Sequence, residues 1–136
     1  MKLVLDTNIF ISAFYWGGSP QKILDRIIKG IDELYISDEI LNEISAVMSR
    51  PKFKSTPEII EKYIKTIEKF GKKISISGKI KGICRDKEDD DKIECGITSG
   101  ADFLITGDDD LLILGSYQNL KILSVNDYLN MIKTIG

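Results

Sequence analysis

Histidine is absent from this chain of 136 residues. Its absence excludes Ser-His-Asp and Cys-His catalysis, imidazole acid–base chemistry and histidine-containing zinc sites. Cysteine is scarce. Cys84 and Cys95 fit neither a disulfide framework nor a CxxC metal site, and read as small apolar residues in a reducing compartment. Any metal must then sit on oxygen ligands, which suit Mg²⁺, Mn²⁺ or Ca²⁺. No apolar run approaches the roughly 20 residues that a membrane helix needs, so no membrane partner is expected. The opening "MKLVLDTNIF" is interrupted by Asp6 and lacks the unbroken apolar segment of a secretory signal. A cytoplasmic location is expected.

What the chain does have is acid, unevenly placed. Hydrophobic residues make up 43% and charged residues 29%, ordinary values for a globular protein of one domain, expected to span residues 1–136. The net charge of −2 hides a local excess: residues 86–110 hold 10 of the 21 acids and 2 of the 19 bases. Residues 50–85 hold 11 bases and 3 acids. An acidic pocket in a basic surround suits a metal-dependent enzyme acting on a polyanion, although a solvated lysine-rich helix accounts for the basic part equally well.

Apolar runs and helical stripes alternate along the chain. "KLVL" (2–5), "ELYIS" (33–37), "DFLIT" (102–106) and "LKILS" (120–124) read as strands, with "KKISI" (72–76) as a short fifth. Helices are expected over 8–16, 21–30, 38–50, 56–71, 91–100 and 125–133, with Ser19 capping the second ahead of Pro20. The alternation predicts an α/β domain with a mainly parallel sheet flanked by helices, and no internal repeat or linker. In such sheets ligands bind beyond the carboxyl ends of the strands.

The acids fall at those ends. Asp6 abruptly ends the first strand, and Asp108 follows "DFLIT". Asp86, Glu88, Asp89, Asp90 and Asp91 precede a helix. One acid suffices to cap it, so capping leaves most of the five unexplained. Asp108–Asp110 in isolation also fits a solvated turn. Glu43 lies about 40° from Val47 at the margin of the stripe Ile40–Leu41–Ile44–Val47–Met48, where a helix packed on the sheet points it at the strand ends. Carboxylates converging from several strand ends repel strongly unless a divalent cation neutralises them. Mg²⁺ or Mn²⁺ held there suits phosphodiester hydrolysis, which needs no histidine.

The stretches "VLDTNIFISA", "EILNEI", "CRDKEDDDKIECGITSGADFLITGDDDLL" and "ILSVNDYL" together resemble the PIN-domain family, in particular the VapC-related toxins of prokaryotic toxin–antitoxin pairs. The likeness runs over essentially the whole chain. It implies a three-layer α/β/α sandwich with a mainly parallel central sheet and a Mg²⁺- or Mn²⁺-dependent endoribonuclease. Carried over by position, its acids are Asp6, Glu43, either Asp89 or Asp90, and Asp108. Asp86, Asp91 and Asp110 would act from outside, with Thr7, Asn8 and Thr106 as polar support. RNA is the implied substrate, and an antitoxin protein and a second copy of the chain are further partners to consider. From the charge pattern, Arg50, Lys52, Lys54 and Arg85 are candidates for a rim that holds the RNA backbone.

Competing motifs fit less well. A haloacid-dehalogenase site needs a second aspartate where Asn8 stands. An EF-hand counted from Asp86 has Asp91 in place of glycine and Ile97 in place of glutamate. A Toprim-type pair Asp108/Asp110 leaves Asp6 without a role. Two readings that keep the fold remain open: a module that binds RNA or protein without cutting, and an RNA-processing or decay nuclease with no antitoxin.

Overall fold

A computed structural model describes residues 1–135, with side chains to Thr134. The chain runs β1 (Lys2–Leu5), α1 (Thr7–Trp16), α2 (Gly18–Ile28), β2 (Glu33–Ile36), α3 (Asp38–Met48), a 3₁₀ turn (Pro51–Phe53), α4 (Pro57–Phe70) and β3 (Gly71–Lys73). It continues with α5 (Lys87–Ser99), β4 (Phe103–Ile105), α6 (Asp109–Leu114), β5 (Ser116–Tyr117), β6 (Leu120–Leu123) and α7 (Val125–Ile135). The strands form one sheet in the order β3-β2-β1-β4-β6-β5, parallel except for the β5–β6 pair. Leu3, Val4, Leu5, Leu34, Tyr35, Ile36, Phe103, Leu104 and Ile105 are all buried, as a parallel sheet covered on both faces requires. Helix α5 packs across β1, β2, β4 and β6, while α1 packs on α2 and α3, α3 on α4, and α2 on α7. The result is a three-layer α/β/α sandwich.

Several boundaries differ from the sequence expectation, each for a local reason. Helix α5 begins at Lys87 rather than Asp91, because Glu88, Asp89 and Asp90 in its first turn complement the positive end of the helix dipole. Helix α2 begins at Gly18, so Gly17 (φ 70°) is its cap rather than Ser19, and Pro20 sits inside the first turn where its missing N–H costs nothing. Strand β3 is confined to Gly71–Lys73, followed by one further bond from Ile74 N–H to the Ile36 carbonyl at 2.7 Å. The segment Asp109–Leu114 is a helix rather than a turn, capped by Asp108.

Two features of the fold set the places of the acids. Connections from β1 run to β2 on one side and from β4 to β6 on the other, so the strand order reverses between β1 and β4. That switch point is where open α/β sheets bind ligands. Gly96 lets α5 descend onto β6: a methyl group there would meet Leu120 Cδ2 at 2.6 Å.

At the opposite, amino-terminal edge of the sheet, Asp32 is buried. It accepts from Arg26 Nε at 2.8 Å, Tyr128 Oη at 2.7 Å and the Met1 ammonium at 3.2 Å. Burial alone would raise its carboxyl pKa, but Arg26, Tyr128 and the amino terminus together hold it below the ordinary range. A depressed carboxylate stabilises the fold above the unfolded-state pKa of about 3.9, and that contribution is lost as pH falls through the lower folded value. Replacing Asp32 with alanine should therefore cost about 3 kcal/mol at pH 7. Urea denaturation should show the penalty shrinking once pH drops below about 4. An equal penalty at both pH values would mean that packing, not charge, sets the effect.

Candidate active site

Asp6 and Thr106 are set side by side by the β1–β4 register, in which Leu5 pairs with Ile105. Each stands one residue beyond its strand end, and the Asp6 N–H still bonds to the Ile105 carbonyl at 2.9 Å. Asp6 precedes α1 without capping it through its side chain. Its carboxylate instead accepts from Thr106 Oγ1 at 2.5 Å on one oxygen and faces Lys92 Nζ at 2.8 Å with the other. Thr106 Oγ1 in turn accepts the Asp108 N–H at 2.9 Å, and Asp108 Oδ2 caps α6 by accepting from Leu111 N–H at 3.1 Å. One hydroxyl thus ties Asp6 to the loop that carries Asp108.

Helices supply the other acids. Glu43, on the partly open flank of α3, points its two oxygens at Lys92 Nζ at 3.3 and 3.2 Å. Asp89, in the first turn of α5, lies 3.5 Å from the same nitrogen. Asp6, Glu43 and Asp89 therefore meet around one ammonium that is only 2% exposed. Burial works against the charged amine, but the three carboxylates outweigh it and hold Lys92 above the ordinary lysine range. Asp89 moves the other way. Burial pushes its carboxyl up to about 6; Lys92 opposes the shift, and Asp6 and Asp108 add to it.

The five acids of the 86–91 run divide by helical phase. Asp89 turns inward to Lys92. Asp90 turns to the preceding loop, where it accepts from Gly82 N–H at 2.9 Å and Cys84 N–H at 2.8 Å. Glu94, one turn further on, accepts from Ser77 N–H at 2.6 Å and Ile80 N–H at 3.1 Å. Between them Asp90 and Glu94 tether residues 77–84, a stretch with no regular structure. Asp86 caps α5 without a side-chain bond and is exposed, as is Glu88, while Asp91 is half-buried. Asp110 is exposed, with Arg85 Nε 3.9 Å away.

Of the other expected residues, Thr7 is buried, and its hydroxyl is the buried side-chain polar atom left without a hydrogen-bond partner among the described residues. Asn8 is exposed on the first turn of α1. Arg85 stands beside the acidic edge, but Arg50, Lys52 and Lys54 do not. They flank Phe53 in sequence, Lys52 Nζ lies 5.0 Å from its ring, and that ring stacks on Tyr15 with centroids 4.4 Å apart. The neighbouring Trp16, 72% exposed, ends α1, whose ten residues rise about 15 Å from Asp6. Sequence reasoning missed Lys92 as a member of the site. The available signal was its i, i+3 spacing from Asp89, which becomes a shared face once the helix starts at Lys87.

The donor set is all oxygen, which suits a hard divalent ion. Among the described residues no three acid or thiol side chains stand so that they could hold one ion together. Lys92 lies between three of them. Mg²⁺ keeps several waters and is bound through only one or two carboxylates, so the set still fits such an ion. Asp89 Oδ2 and Asp108 Oδ1 take part in none of these bonds. The unpartnered Thr7 hydroxyl adds a polar group to the same strand end. Among the described residues no helix is long and apolar enough to cross a membrane.

Comparison with known proteins bears on the fold and the family. A family model described as a PIN domain matches residues 2–110. An uncharacterized protein of Methanocaldococcus jannaschii is 35% identical over 133 residues, covering 93% of this chain and 82% of its own. In structure, the chain is similar to VapBC2 from Rickettsia felis bound to a DNA fragment from their promoter. The TM-score is 0.66 at 21% identity, over 91% of this chain and 98% of that one. At that identity the likeness is one of fold.

The division of labour between neighbouring acids can be tested directly. Asp90→Ala should release the amides of Gly82 and Cys84, seen as faster hydrogen exchange there, and cost about 1–3 kcal/mol. Asp89→Asn should leave those amides protected. Because the folded pKa of Asp89 is raised, its ionisation destabilises the fold as pH rises from about 4 to 6. The asparagine variant should then melt no lower than wild type at pH 7 in EDTA. The reverse pattern would exchange the roles of the two residues.

Proposed function

The chain belongs to the PIN-domain family, and on that premise we propose that it is a divalent-metal-dependent endoribonuclease, with Mg²⁺ or Mn²⁺ as cofactor. One observation carries the reading. Asp6, Glu43, Asp89 and Asp108, from four separate segments, gather at the switch point of the sheet, which is where such folds place their ligands. A fold that needed only solubility would spread these acids over its surface rather than bury Asp6 and Asp89.

A bound divalent ion would supply Lewis-acid polarisation of a phosphoryl oxygen and lower the pKa of a water. Asp89 and Asp108, each with one carboxylate oxygen outside the bonds to Lys92 and Leu111, would hold it, with Asp6 and Glu43 acting on it from around Lys92. The chain's own groups do the rest. Thr106 fixes the rotamer of Asp6 and the backbone of Asp108 through one hydroxyl. The tether from Asp90 and Glu94 positions the loop that leads to Arg85. Arg85, 86% exposed on its side chain and 3.9 Å from Asp110, would meet a phosphate beside the acidic edge. Arg50, Lys52 and Lys54 would then engage the same strand further along, about four stacked nucleotides away at 3.4 Å each.

The same reading makes the chain the toxin of a toxin–antitoxin pair, supported by its structural likeness to VapBC2. An apolar cavity of about 230 Å³ lined by Phe10, Leu24, Ile27, Ile28 and Phe70 offers a partner helix a seat away from the acids. Co-expression with the product of an adjacent small reading frame should yield a complex. A homodimer, if formed, would appear in the molecular mass of the isolated chain.

Two outcomes test the chemistry. EDTA should abolish RNA cleavage, Mg²⁺ or Mn²⁺ should restore it, and Asp108→Asn should lower the rate by at least about a hundredfold. Full activity in EDTA would refute the mechanism. For substrate approach, Arg50, Lys52 and Lys54 should be neutralised together in an Asp6→Asn background that blocks cutting. Each lost phosphate contact should flatten the salt dependence of RNA binding by about 0.7 in log–log slope. An unchanged slope would move the RNA path to another face.

A further inference from the structure

We propose that the ammonium of Lys92 takes the place of a second metal ion, so that the site binds one divalent cation per chain. The inference rests on the nuclease reading and adds the composition of the site. Lys92 Nζ faces Asp6 Oδ1 at 2.8 Å, Glu43 Oε2 at 3.2 Å and Asp89 Oδ1 at 3.5 Å. These are the oxygens that a second divalent ion would need. The amine cannot swing away from them to admit one. Its side chain is 2% exposed, and it rises from the middle of a helix seated on β6 at Gly96.

Charge and coordination lead to the same count. An ammonium held among Asp6, Glu43 and Asp89 repels any divalent ion brought to the same oxygens. What remains for a metal is Asp89 Oδ2 and Asp108 Oδ1, which take no part in the bonds to Lys92 and Leu111. Two carboxylates are enough for Mg²⁺, which fills its other positions with water and substrate oxygens. In enzymes with two metals, the second cation offsets charge on the transferring phosphoryl group from the opposite side. A fixed ammonium supplies positive charge from that side through its field, its three N–H groups being engaged by Asp6, Glu43 and Asp89. It also explains how Asp6 and Asp89 stay buried together when no metal is bound.

The test is a count. Mn²⁺ binding to the wild-type protein, followed by electron paramagnetic resonance and calorimetry, should saturate at one ion per chain. Lys92→Met should either take up a second Mn²⁺ or bind the first at least tenfold more tightly. In EDTA it should melt below wild type, with Mn²⁺ raising its melting temperature more than it raises that of wild type. Lys92→Arg, which keeps the charge, should still bind one ion. Two ions per wild-type chain would overturn the inference and leave the nuclease reading intact, and this measurement stands even if Lys92→Met does not fold. One ion in Lys92→Met with unchanged affinity would also overturn it. No Mn²⁺ bound by any of the proteins would overturn both readings.

Discussion

Burying carboxylates within reach of one another costs several kcal/mol per ion unless a cation is buried with them. Lys92 is that cation, and the architecture around it follows from the need to hold it still. Its backbone must come close enough to the strand ends for a four-carbon side chain to reach Asp6. Gly96 provides the close approach of α5 to the sheet. Glu43 reaches the same nitrogen because α3 starts immediately after β2, with Ser37 capping it and the helix lying beside α5. The acids and the amine are one arrangement, and removing either side leaves the other buried without a partner.

Like charge is therefore not simply crowded in this chain; each buried acid is matched to donors. Asp89 faces an ammonium, Asp90 and Glu94 face two backbone amides each, and Asp6 divides its oxygens between an ammonium and a hydroxyl. At the other edge of the sheet Asp32 collects a guanidinium, a phenol and the amino terminus. The two ionic clusters differ in how well they are satisfied. The carboxyl of Asp32 is held below its ordinary pKa, whereas that of Asp89 is pushed up to about 6. A fold that completes its structural pairings but leaves one acid under-compensated at the switch point has put the imbalance where a ligand can relieve it.

Much of this was legible in the residues. The buried strands read as short apolar runs because a parallel sheet is covered on both faces, and "KLVL", "ELYI", "FLI" and "LKIL" all lie inside the expected spans. Asp6 and Asp108 stood out because they end strands, and Glu43 because helical phase places it at the edge of an apolar stripe. The choice between Asp89 and Asp90 could not be read, since both lie ahead of the expected helix and take a helical direction only because α5 starts at Lys87. Lys92 was hidden for a related reason. A lysine in an acidic run looks solvated until the helix phase turns it inward. Helix α6 and strand β5, with six and two residues, are too short to show a period. Asp32 sits between helix and strand with partners far along the chain, and no local pattern marks it.

The Thr106 hydroxyl bond to Asp6 spans 100 residues of sequence. No shorter piece of the chain can make it, because it exists only when β4 has paired with β1 in the correct register. Contacts of such separation carry the entropic cost of closing the loop between them. The acidic cluster is thus complete only once β4 and its loop have been made and β4 has paired with β1. A partly synthesised chain ending before β4 has Asp6, Glu43 and Asp89 but lacks the strand and loop that lock and complete them. For a chain acting as the proposed ribonuclease, the growing polypeptide carries no complete acidic site until β4 and its loop have been made.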